Sequence, residues 1–519
     1  MEYRSHLSTD QAFGYLSRFA FKHHDLCHPW SNPGLRVIFT FHKANEAAAV
    51  RALRYNQKCL YLSIRKGRFI MPDTLTQSGA ISASMLDMYA KEFTAAPANR
   101  ARMNAIAKSG INSVATNRDA LINMQFTFST EIDTGPVTNQ KQSGRCWMFA
   151  GLNTIRHHMA KKNNMKPFEL SQSYQMFWDK FEKANYFLER VIDTRTDETD
   201  SRVVQWLLQA PLNDGGQWDM FVNLVDKYGV VPQYVMPETF HSSASREMNS
   251  LLTQKLRGYA STLRSAYQEG ASVEALREKK QQMLREFYRV LCYFLGTPPT
   301  QFDFEYRDKD NEYHRDSDLS AQAFYSKYAG YDLHEYISVI NAPTADKPFN
   351  RTYTVQYLGN VEGGRIVRYL NVDIVTFKRL ALAQLNDSEP VWFGCDVGKM
   401  MERDGGILDT AVYDYEGALD VEFEMTKGER LEYGESLMTH AMVFTGVNVV
   451  DGKPNRWKVE NSWGKDRGSE GFFVMSDEWF NEYMYQIVVN RKYLESELAA
   501  IADEEPIVLK PWDPMGSLA

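Results

Sequence analysis

Apolar side chains in the first half of the chain recur with a helical period. Between residues 146 and 162 they are spaced by three and four positions, among good helix formers and without a proline. This pattern predicts an amphipathic helix that begins at Cys146 and ends at Lys162. A second helix is predicted after Ser171, because a serine hydroxyl can accept hydrogen bonds from the first free N–H groups of a helix. Its aromatic stripe is typical of a core-facing surface.

The same period predicts two helices between about 81 and 109, separated by Pro97, and two long ones over 246–267 and 273–295. Gly270 falls in the short break between the long helices, which therefore predict a helical hairpin. The apolar edge of this hairpin leaves two interpretations open. It either packs against another subunit or covers its own domain.

From residue 353 onward the pattern changes to short runs rich in β-branched and aromatic residues. The predicted strands are 353–358, 391–396, 441–450, 456–460, 472–475 and 486–490. Helices followed by strands are typical of an α+β protein. We therefore predict a helical half and a β-sheet half that meet along a cleft.

Composition restricts the classes of partner. The 519 residues are 44% hydrophobic and 24% charged, and the net charge of −7 gives no basis for nucleic acid or an anionic membrane as a partner. No apolar run reaches the length of a membrane span. Five scattered cysteines without a Cys-x-x-Cys pair argue against a disulfide framework and a zinc site. We expect no metal, no other cofactor and a reducing, cytoplasmic location.

Residues 1–70 differ from the rest in charge. They hold eleven Lys or Arg against four Asp or Glu, a net charge of +7 that leaves −14 for residues 71–519. Glu2 and Asp10 lie where a mitochondrial transit peptide is normally free of acids. Two hypotheses remain for this N-terminal extension, which is predicted to be mostly disordered. It is either an organelle presequence that gives a mitochondrial form or a gene start placed too early.

Cys146 is the candidate nucleophile. A thiol at a helix N-terminus faces unpaired N–H groups and the positive end of the helix dipole, and both favour the thiolate. Gln140 lies six residues earlier, and Gly144 allows a sharp turn between them. The Gln140 amide can then point at the oxygen of a carbonyl under attack. The competing interpretation is that a lone cysteine on an apolar helix is a small core residue.

A cysteine nucleophile needs a base and a group that orients the base. His440 opens the apolar run 441–450, and Asn461 lies 21 residues later, at the end of the next predicted strand. If these strands are adjacent and antiparallel, the asparagine accepts a hydrogen bond from one ring nitrogen and leaves the other facing the thiol. The three residues predict acyl transfer through a thioester.

Several segments resemble the active-site segments of papain-like cysteine peptidases, in the same chain order: Gln140, Ser143-Gly144-Arg145-Cys146-Trp147, His440-Ala441 and Asn461-Ser462-Trp463-Gly464. Residues from about 130 to the end resemble the bleomycin hydrolase branch, notably in segments 213–219, 304–310, 392–399 and 512–519. There are two departures from the common pattern. Ser143 replaces a cysteine that forms a disulfide in secreted relatives, and 294 residues separate Cys146 from His440, about twice the usual roughly 130–150.

The resemblance implies a papain-like two-part α+β fold with a large helical insertion. The predicted domains are the N-terminal extension, 1–70, and a peptidase domain, 71–519. Within the peptidase domain the helical half with the nucleophile covers about 130–240 and the helical insertion about 243–345. The β half with His440 and Asn461 covers about 350–495, and a C-terminal arm covers 500–519.

The resemblance also implies a cysteine aminopeptidase or amidohydrolase that removes N-terminal residues from unfolded peptides or small amides. Its implied catalytic residues are Gln140, Cys146, His440 and Asn461, and its implied substrate-binding residues are Gly216, Trp463 and Ala519. Gly216 pairs with the substrate backbone, Trp463 shields the His–Asn hydrogen bond, and the Ala519 carboxylate receives the substrate's amino group. Relatives assemble as homohexamers with their active sites facing an internal cavity.

Three alternatives belong to other classes. A catalytically silent peptide-binding or chaperone-like protein on the same fold is the non-enzyme alternative, but its usual signature is a lost Cys, His or Asn. Gly434-Glu435-Ser436 begins a serine-hydrolase elbow, yet Met438 stands where glycine is required. His334-Glu335 begins a zinc-peptidase motif, yet Ser338 occupies the position of its second histidine.

Overall fold

The computed structural model describes residues 63–65, 68–70 and 79–519. Contacts divide the chain into two units, residues 1–99 and 100–519. In the first unit, β1 (Ser63–Arg65) and β2 (Arg68–Ile70) pair in antiparallel register, and Ser82 caps helix α1 (Ala83–Ala95). The remainder of the predicted extension 1–70 lies outside the described residues.

Helices dominate the chain up to residue 330. They are α2 (Pro97–Ser109), α3 (Ile111–Ala115), α4 (Arg118–Asn123), α5 (Cys146–Lys162), α6 (Gln172–Asp193), α7 (Arg202–Gln209), α8 (Trp218–Tyr228), α9 (Phe240–Ser243), α10 (Arg246–Gln268), α11 (Val273–Leu295) and α12 (Ala321–Phe324), followed by a π-helical turn, Tyr325–Ala329. Later helices are α13 (Ile374–Asn386), α14 (Tyr415–Leu419), α15 (Lys427–Glu432), α16 (Asp477–Tyr483) and α17 (Ser496–Asp503), with 3-10 turns at Leu333–Glu335, Arg491–Tyr493 and Pro514–Gly516.

The helices predicted from apolar spacing are confirmed. Helix α5 begins at Cys146, and Ser171 caps α6 by accepting a hydrogen bond from the Tyr174 N–H at 3.0 Å. The hairpin of α10 and α11 has its predicted break. Ser272 caps the start of α11, and Gly296 ends it with a φ of 83° that other residues rarely adopt.

The strands of the second unit form one mixed sheet and a separate hairpin. They are β3 (Thr130–Glu131), β4 (Phe302–Arg307), β5 (Tyr313–Leu319), β6 (Tyr336–Ile340), β7 (Arg351–Val355), β8 (Tyr369–Asn371), β9 (Val391–Cys395), β10 (Met401–Glu402), β11 (Ile407–Leu408), β12 (His440–Val450), β13 (Lys453–Glu460), β14 (Phe472–Ser476), β15 (Met484–Asn490) and β16 (Ile507–Leu509). The 12-stranded sheet has the order β10-β11-β14-β13-β12-β9-β15-β6-β8-β7-β16, with β3 on β12, whereas β4 pairs only with β5. The α+β prediction is confirmed.

The strands that were not predicted from the sequence are β3, β4, β5, β6, β8, β10, β11 and β16. All five residues of β6 are buried, so the strand has no apolar–polar alternation, and it pairs with β15 and β8 inside the sheet. The hairpin of β4 and β5 is rich in charged side chains that face water. The two-residue period that marks a half-buried strand is missing in β6. It is present in β4, where Phe302, Phe304 and Tyr306 alternate with exposed charged residues, so that strand had a local signal and was overlooked.

Two apolar cores lie on either side of the sheet. One packs α5, α6, α8 and the α10–α11 hairpin against the sheet face that carries Trp392, Ala441 and Val443. The other lies on the opposite face around Phe393, Phe444 and α13 and α16. Helix α5 therefore meets strand β12 directly. Within residues 79–519, no helix is long and apolar enough to cross a membrane, and no group of three or more His, Cys, Asp or Glu could hold a metal ion.

Candidate active site

The start of α5 lies against the start of β12. Cys146 is the first residue of the helix and only 2% exposed. The backbone N–H of Ala441, the residue after His440, is close enough to its sulfur to lower the pKa of the thiol, as is the N–H of Trp147. The structure therefore brings Cys146 next to the residue that neighbours the predicted base.

His440 and Asn461 are brought together as the strand pattern predicted. Strands β12 and β13 are antiparallel neighbours, and His440 Nε2 lies 2.9 Å from Asn461 Oδ1. The Ser462 N–H also donates to Asn461 Oδ1, at 2.8 Å, which identifies that atom as the acceptor. His440 Nε2 therefore carries the proton, and Nδ1 is left to accept one.

Trp463 covers this pair. Its ring centroid lies 5.0 Å from that of His440, and Asn139 forms a backbone bridge with Trp463 beside the nucleophile loop. An aromatic ring in this position keeps water from the His440–Asn461 hydrogen bond, which strengthens it.

Gln140 is held by both of its ends. Its backbone N–H donates to the Ser462 carbonyl at 2.8 Å, and its Oε1 accepts from the Ser462 hydroxyl at 2.6 Å. The amide nitrogen therefore points the other way, where it donates to the Ser143 carbonyl at 2.6 Å. One of its two N–H groups is used in this contact, and the second can meet an oxyanion.

Ser143, at the position of a disulfide cysteine in secreted papain-like relatives, contacts a buried ion pair. Ser143 donates through its hydroxyl to the Gln140 carbonyl at 2.7 Å and accepts from Arg145 Nε at 2.8 Å. Arg145 is fully buried and forms a two-pronged ion pair with Glu238, at 2.9 and 2.8 Å. A bidentate pair of this kind fixes both partners in position. It links the nucleophile loop to the segment before α9.

Asp214 is a site residue to which the sequence analysis assigned no role. Its carboxylate accepts from the Gly144 N–H at 3.0 Å, from Lys180 at 2.6 Å and from Asn249 at 2.7 Å. Its carbonyl accepts from the Trp147 indole at 2.6 Å. Burial raises the pKa of Asp214, but the Lys180 charge and hydrogen bond outweigh it, and the pKa lies well below its ordinary value. Asp214 thus anchors the turn that presents Cys146.

The C-terminal arm pairs with Gly216. An oxygen of the Ala519 carboxylate accepts from the Gly216 N–H at 3.3 Å, and the Ala519 N–H donates to the Gly216 carbonyl at 3.4 Å. Gln217 Nε2 donates to the Ser517 carbonyl at 2.7 Å, and the Ser517 hydroxyl donates to the Met438 carbonyl at 2.7 Å. A Cβ on the neighbouring Gly215 would lie 2.7 Å from the Ala519 oxygen, so glycine is required there for the arm to approach, and a Cβ on Gly216 would lie 2.5 Å from the Trp147 ring.

Burial sets the charge state of the covered site. It raises the pKa of the Cys146 thiol from 9.0 to about 11, although N–H groups of Ala441 and Trp147 partly oppose this. Burial likewise lowers the pKa of His440 from 6.5 to about 4, against the hydrogen bond with Asn461. The sequence argument favoured a thiolate at the helix start. Here removal from water opposes the helix terminus, and it favours the neutral thiol and the neutral imidazole.

Comparisons with known proteins identify a family and several relatives. The model of the Peptidase C1-like family matches residues 80–516. Aminopeptidase C of Listeria monocytogenes is 49% identical over 439 residues, which cover 85% of this chain and 99% of that protein. Bleomycin hydrolase of Mus musculus is 46% identical over 392 residues, 74% of this chain and 86% of that protein. The crystal structure of PepW from Lactobacillus rhamnosis HN001 has a TM-score of 0.84 and 55% identity, covering 85% of this chain and 100% of that chain.

Proposed function

The chain belongs to the Peptidase C1-like family and is a cysteine aminopeptidase of the bleomycin hydrolase type, and on that premise we propose that Cys146 is its nucleophile and His440 its acid and base. Asn461 orients the imidazole. The observation that supports this assignment is the 2.9 Å contact of His440 Nε2 with Asn461 Oδ1, beside the helix that begins at Cys146.

The proposed reaction begins with a proton transfer from the Cys146 sulfur to His440 Nδ1. The sulfur then attacks the carbonyl carbon of the first peptide bond, and a tetrahedral oxyanion forms. When this collapses, His440 gives its proton to the departing amine and a thioester remains. Water, deprotonated by His440, cleaves the thioester and restores the thiol.

Gln140 and the backbone N–H of Cys146 are the proposed oxyanion donors. The Ser462 hydroxyl holds the Gln140 Oε1, so the amide cannot turn its oxygen toward the reacting carbonyl. Donors fixed in this way before the reaction stabilise the charge as it develops, without reorganising.

The C-terminal arm is the proposed reason for aminopeptidase specificity. Ala519 is only 4% exposed, and within residues 79–519 no Lys or Arg forms an ion pair with its carboxylate, although Lys347 pairs with Asp513 earlier in the arm. A buried anion without a cation is costly. The terminal ammonium of a bound peptide supplies that cation, and a longer chain on the same side would collide with the arm.

The substrates are therefore peptides, taken from their N-terminus, and amides of similar shape. A catalytically silent peptide-binding protein is not favoured, because the relatives that match nearly their whole length are named as aminopeptidases.

Replacing the nucleophile tests the assignment. Cys146→Ala should lower hydrolysis of leucine anilide by at least about a thousandfold, because the covalent step is lost. The thermal midpoint should stay within a few degrees of the wild type. Cys292→Ala is the matched control, since that free cysteine is only half-buried and lies on α11. If Cys146→Ala keeps more than about a tenth of the activity, the assignment is wrong.

Assembly into a homohexamer and a cytoplasmic location stay predictions. Phe240 and Tyr293 are each 75% exposed on α9 and α11, and such aromatic side chains are common in subunit interfaces. Mass measurement by light scattering tests the hexamer, and Tyr293→Glu should shift the mass toward smaller species. Fractionation of cells that express the tagged chain tests the location and the presequence hypothesis for residues 1–70.

A further inference from the structure

Two arginines contact the ring that covers the catalytic histidine. The guanidinium carbon of Arg403 lies 4.9 Å, and that of Arg467 6.0 Å, from the centroid of the Trp463 indole. The same indole lies 5.0 Å from the His440 ring. A cation at such distances is attracted by the electrons of the ring face. Both guanidinium groups and the imidazole are therefore neighbours of the same indole.

The loops that carry the two arginines are joined. Arg403 follows β10, and Arg467 lies between β13 and β14. The Gly468 N–H donates to the Asp404 carbonyl at 2.9 Å. Gly468 has a φ of 62°, and a Cβ there would lie 2.2 Å from the Phe472 carbonyl oxygen, so glycine is required. This contact keeps the two guanidinium groups near each other.

Neither arginine uses its donors within the part of the chain that the structure describes. In residues 79–519 no carboxylate lies within ion-pair distance of Arg403 or Arg467, and neither side chain donates a hydrogen bond. The nearby Glu402 accepts instead from the backbone N–H groups of its own loop. A guanidinium stacked on a ring keeps its N–H fork free at the edge, and that fork matches a carboxylate.

The reaction places the leaving group on this side of the site. His440 protonates the departing amine, so the residue that carries this amine lies beside the imidazole and the Trp463 ring that covers it. The C-terminal arm occupies the opposite side of the site, where the acyl part of the substrate binds, and there it pairs with Gly216 and Met438. The first residue after the cleaved bond therefore approaches the two arginines.

We propose that Arg403 and Arg467, held against Trp463, form a subsite for a carboxylate on the first residue of the leaving group. The proposal rests on the proposed function, because it takes His440 as the proton donor. Two sources supply this chemistry. In a dipeptide the leaving residue has a free α-carboxylate, and in a longer peptide an Asp or Glu side chain at that position provides the same group.

Two matched pairs of substrates separate the sources. Leu-Gly and its C-terminal amide differ only in the α-carboxylate, whereas Leu-Glu amide and Leu-Gln amide differ only in the side-chain charge. We expect kcat/KM to favour the carboxylate by about tenfold in at least one pair. The preference should shrink as salt is added, because exposed charges are screened over about 10 Å at 0.1 M.

The double variant Arg403→Gln/Arg467→Gln should bring the preferred ratio close to one. The measured quantity is the ratio of kcat/KM for the two substrates of a pair. A general loss of activity lowers both values and leaves this ratio unchanged. Lys465→Gln is the matched control: it removes the same charge from the loop of Arg467, but Lys465 has no aromatic contact within residues 79–519. Its ratio should equal that of the wild type.

Either of two results overturns the proposal: a wild-type enzyme that treats both members of both pairs alike, or a double variant that keeps the preference. A preference in one pair alone supports the subsite and identifies its source. Hydrolysis of the amides by Cys146→Ala would instead show that the catalytic assignment has failed, which keeps the two failures distinct.

Discussion

Single side chains attach the nucleophile loop of this protein, which has a serine where the papain-like pattern has a disulfide cysteine. Ser143 cannot form that bond, and the buried Arg145 ties the same loop to Glu238 through two hydrogen bonds. Asp214 adds a third attachment through the Gly144 N–H. A charge-assisted network of this kind needs no oxidation, which suits a chain whose described cysteines are all free thiols.

The buried histidine makes stability depend on pH. Burial lowers the pKa of His440 from 6.5 to about 4. Between these pH values His440 is therefore protonated in the unfolded chain and neutral in the folded chain. The contribution of His440 to the free energy of unfolding is complete above about pH 6.5 and is lost as the pH falls through about 4. We expect a loss on the order of 3 kcal/mol in the free energy of unfolding, measured by urea denaturation at both ends of this window.

The control for this prediction is His440→Gln. His157 is half-buried and burial lowers its pKa to about 4, and burial also lowers the pKa of His158, so the wild type loses stability from these groups as well as from His440. The variant should keep the loss due to His157 and His158 and lack that due to His440. A variant with the same pH dependence as the wild type would contradict a neutral, buried His440.

The C-terminal arm is an element with no regular structure at its end, yet it is firmly attached. Arg202 stacks on Trp512 at 3.7 Å, Lys347 pairs with Asp513 at 2.9 Å, and Tyr369 donates to the Met515 carbonyl at 3.1 Å. These contacts precede the last four residues. They hold the arm in register before Ala519 reaches Gly216.

Deleting residues 516–519 tests the role of the arm. The anchors up to Met515 remain, but the carboxylate beside Gly216 is gone. Cleavage of N-acetylated peptides should appear, and KM for free N-terminal substrates should rise about tenfold, because one charge pair is lost. Peptide products are followed by mass spectrometry.

The same deletion should expose Cys146 and speed its alkylation by iodoacetamide. Val508→Ala is the control, since that side chain is exposed on the arm before the anchors. An unchanged product pattern after the deletion would exclude the arm as the source of specificity.

At the scale of the whole second unit, buried polar contacts join the helical half to the sheet half. Arg156 of α5 pairs with Glu460 of β13 at 3.1 Å, and Asn153 donates to the same carboxylate oxygen at 2.8 Å. Glu460 directly precedes Asn461. One cluster therefore sets the distance between the helix that begins at Cys146 and the strand that ends beside the orienting asparagine.

Breaking this cluster should affect both stability and catalysis. Arg156→Met leaves the Glu460 carboxylate buried without its cation, so we expect the free energy of unfolding to fall by about 3–5 kcal/mol. The value of kcat should fall more than KM changes, because the nucleophile and base separate. The control Arg491→Met removes an exposed pair with Asp503 and should cost less than about 1 kcal/mol. Equal losses in both variants would contradict the argument.

The sequence by itself determined the elements whose signals are local. Apolar spacing defined α5, α6 and the α10–α11 hairpin, since a helix repeats every 3.6 residues whatever it packs against. Runs of β-branched residues located β9, β12 and β13. The residue types around Cys146, His440 and Asn461 defined the candidate chemistry, because only a few side chains can serve as nucleophile, base and orienter.

Only the tertiary structure decided what depends on residues distant in the chain. Strand β6 is buried on both faces, so its identity follows from its neighbours in the sheet. The contacts of Asp214, Glu238 and Glu460 join segments that no local pattern relates. Burial opposes the thiolate form of Cys146 for the same reason: the position at a helix start can be read from the sequence, whereas the loss of water around a thiol depends on everything that folds over it.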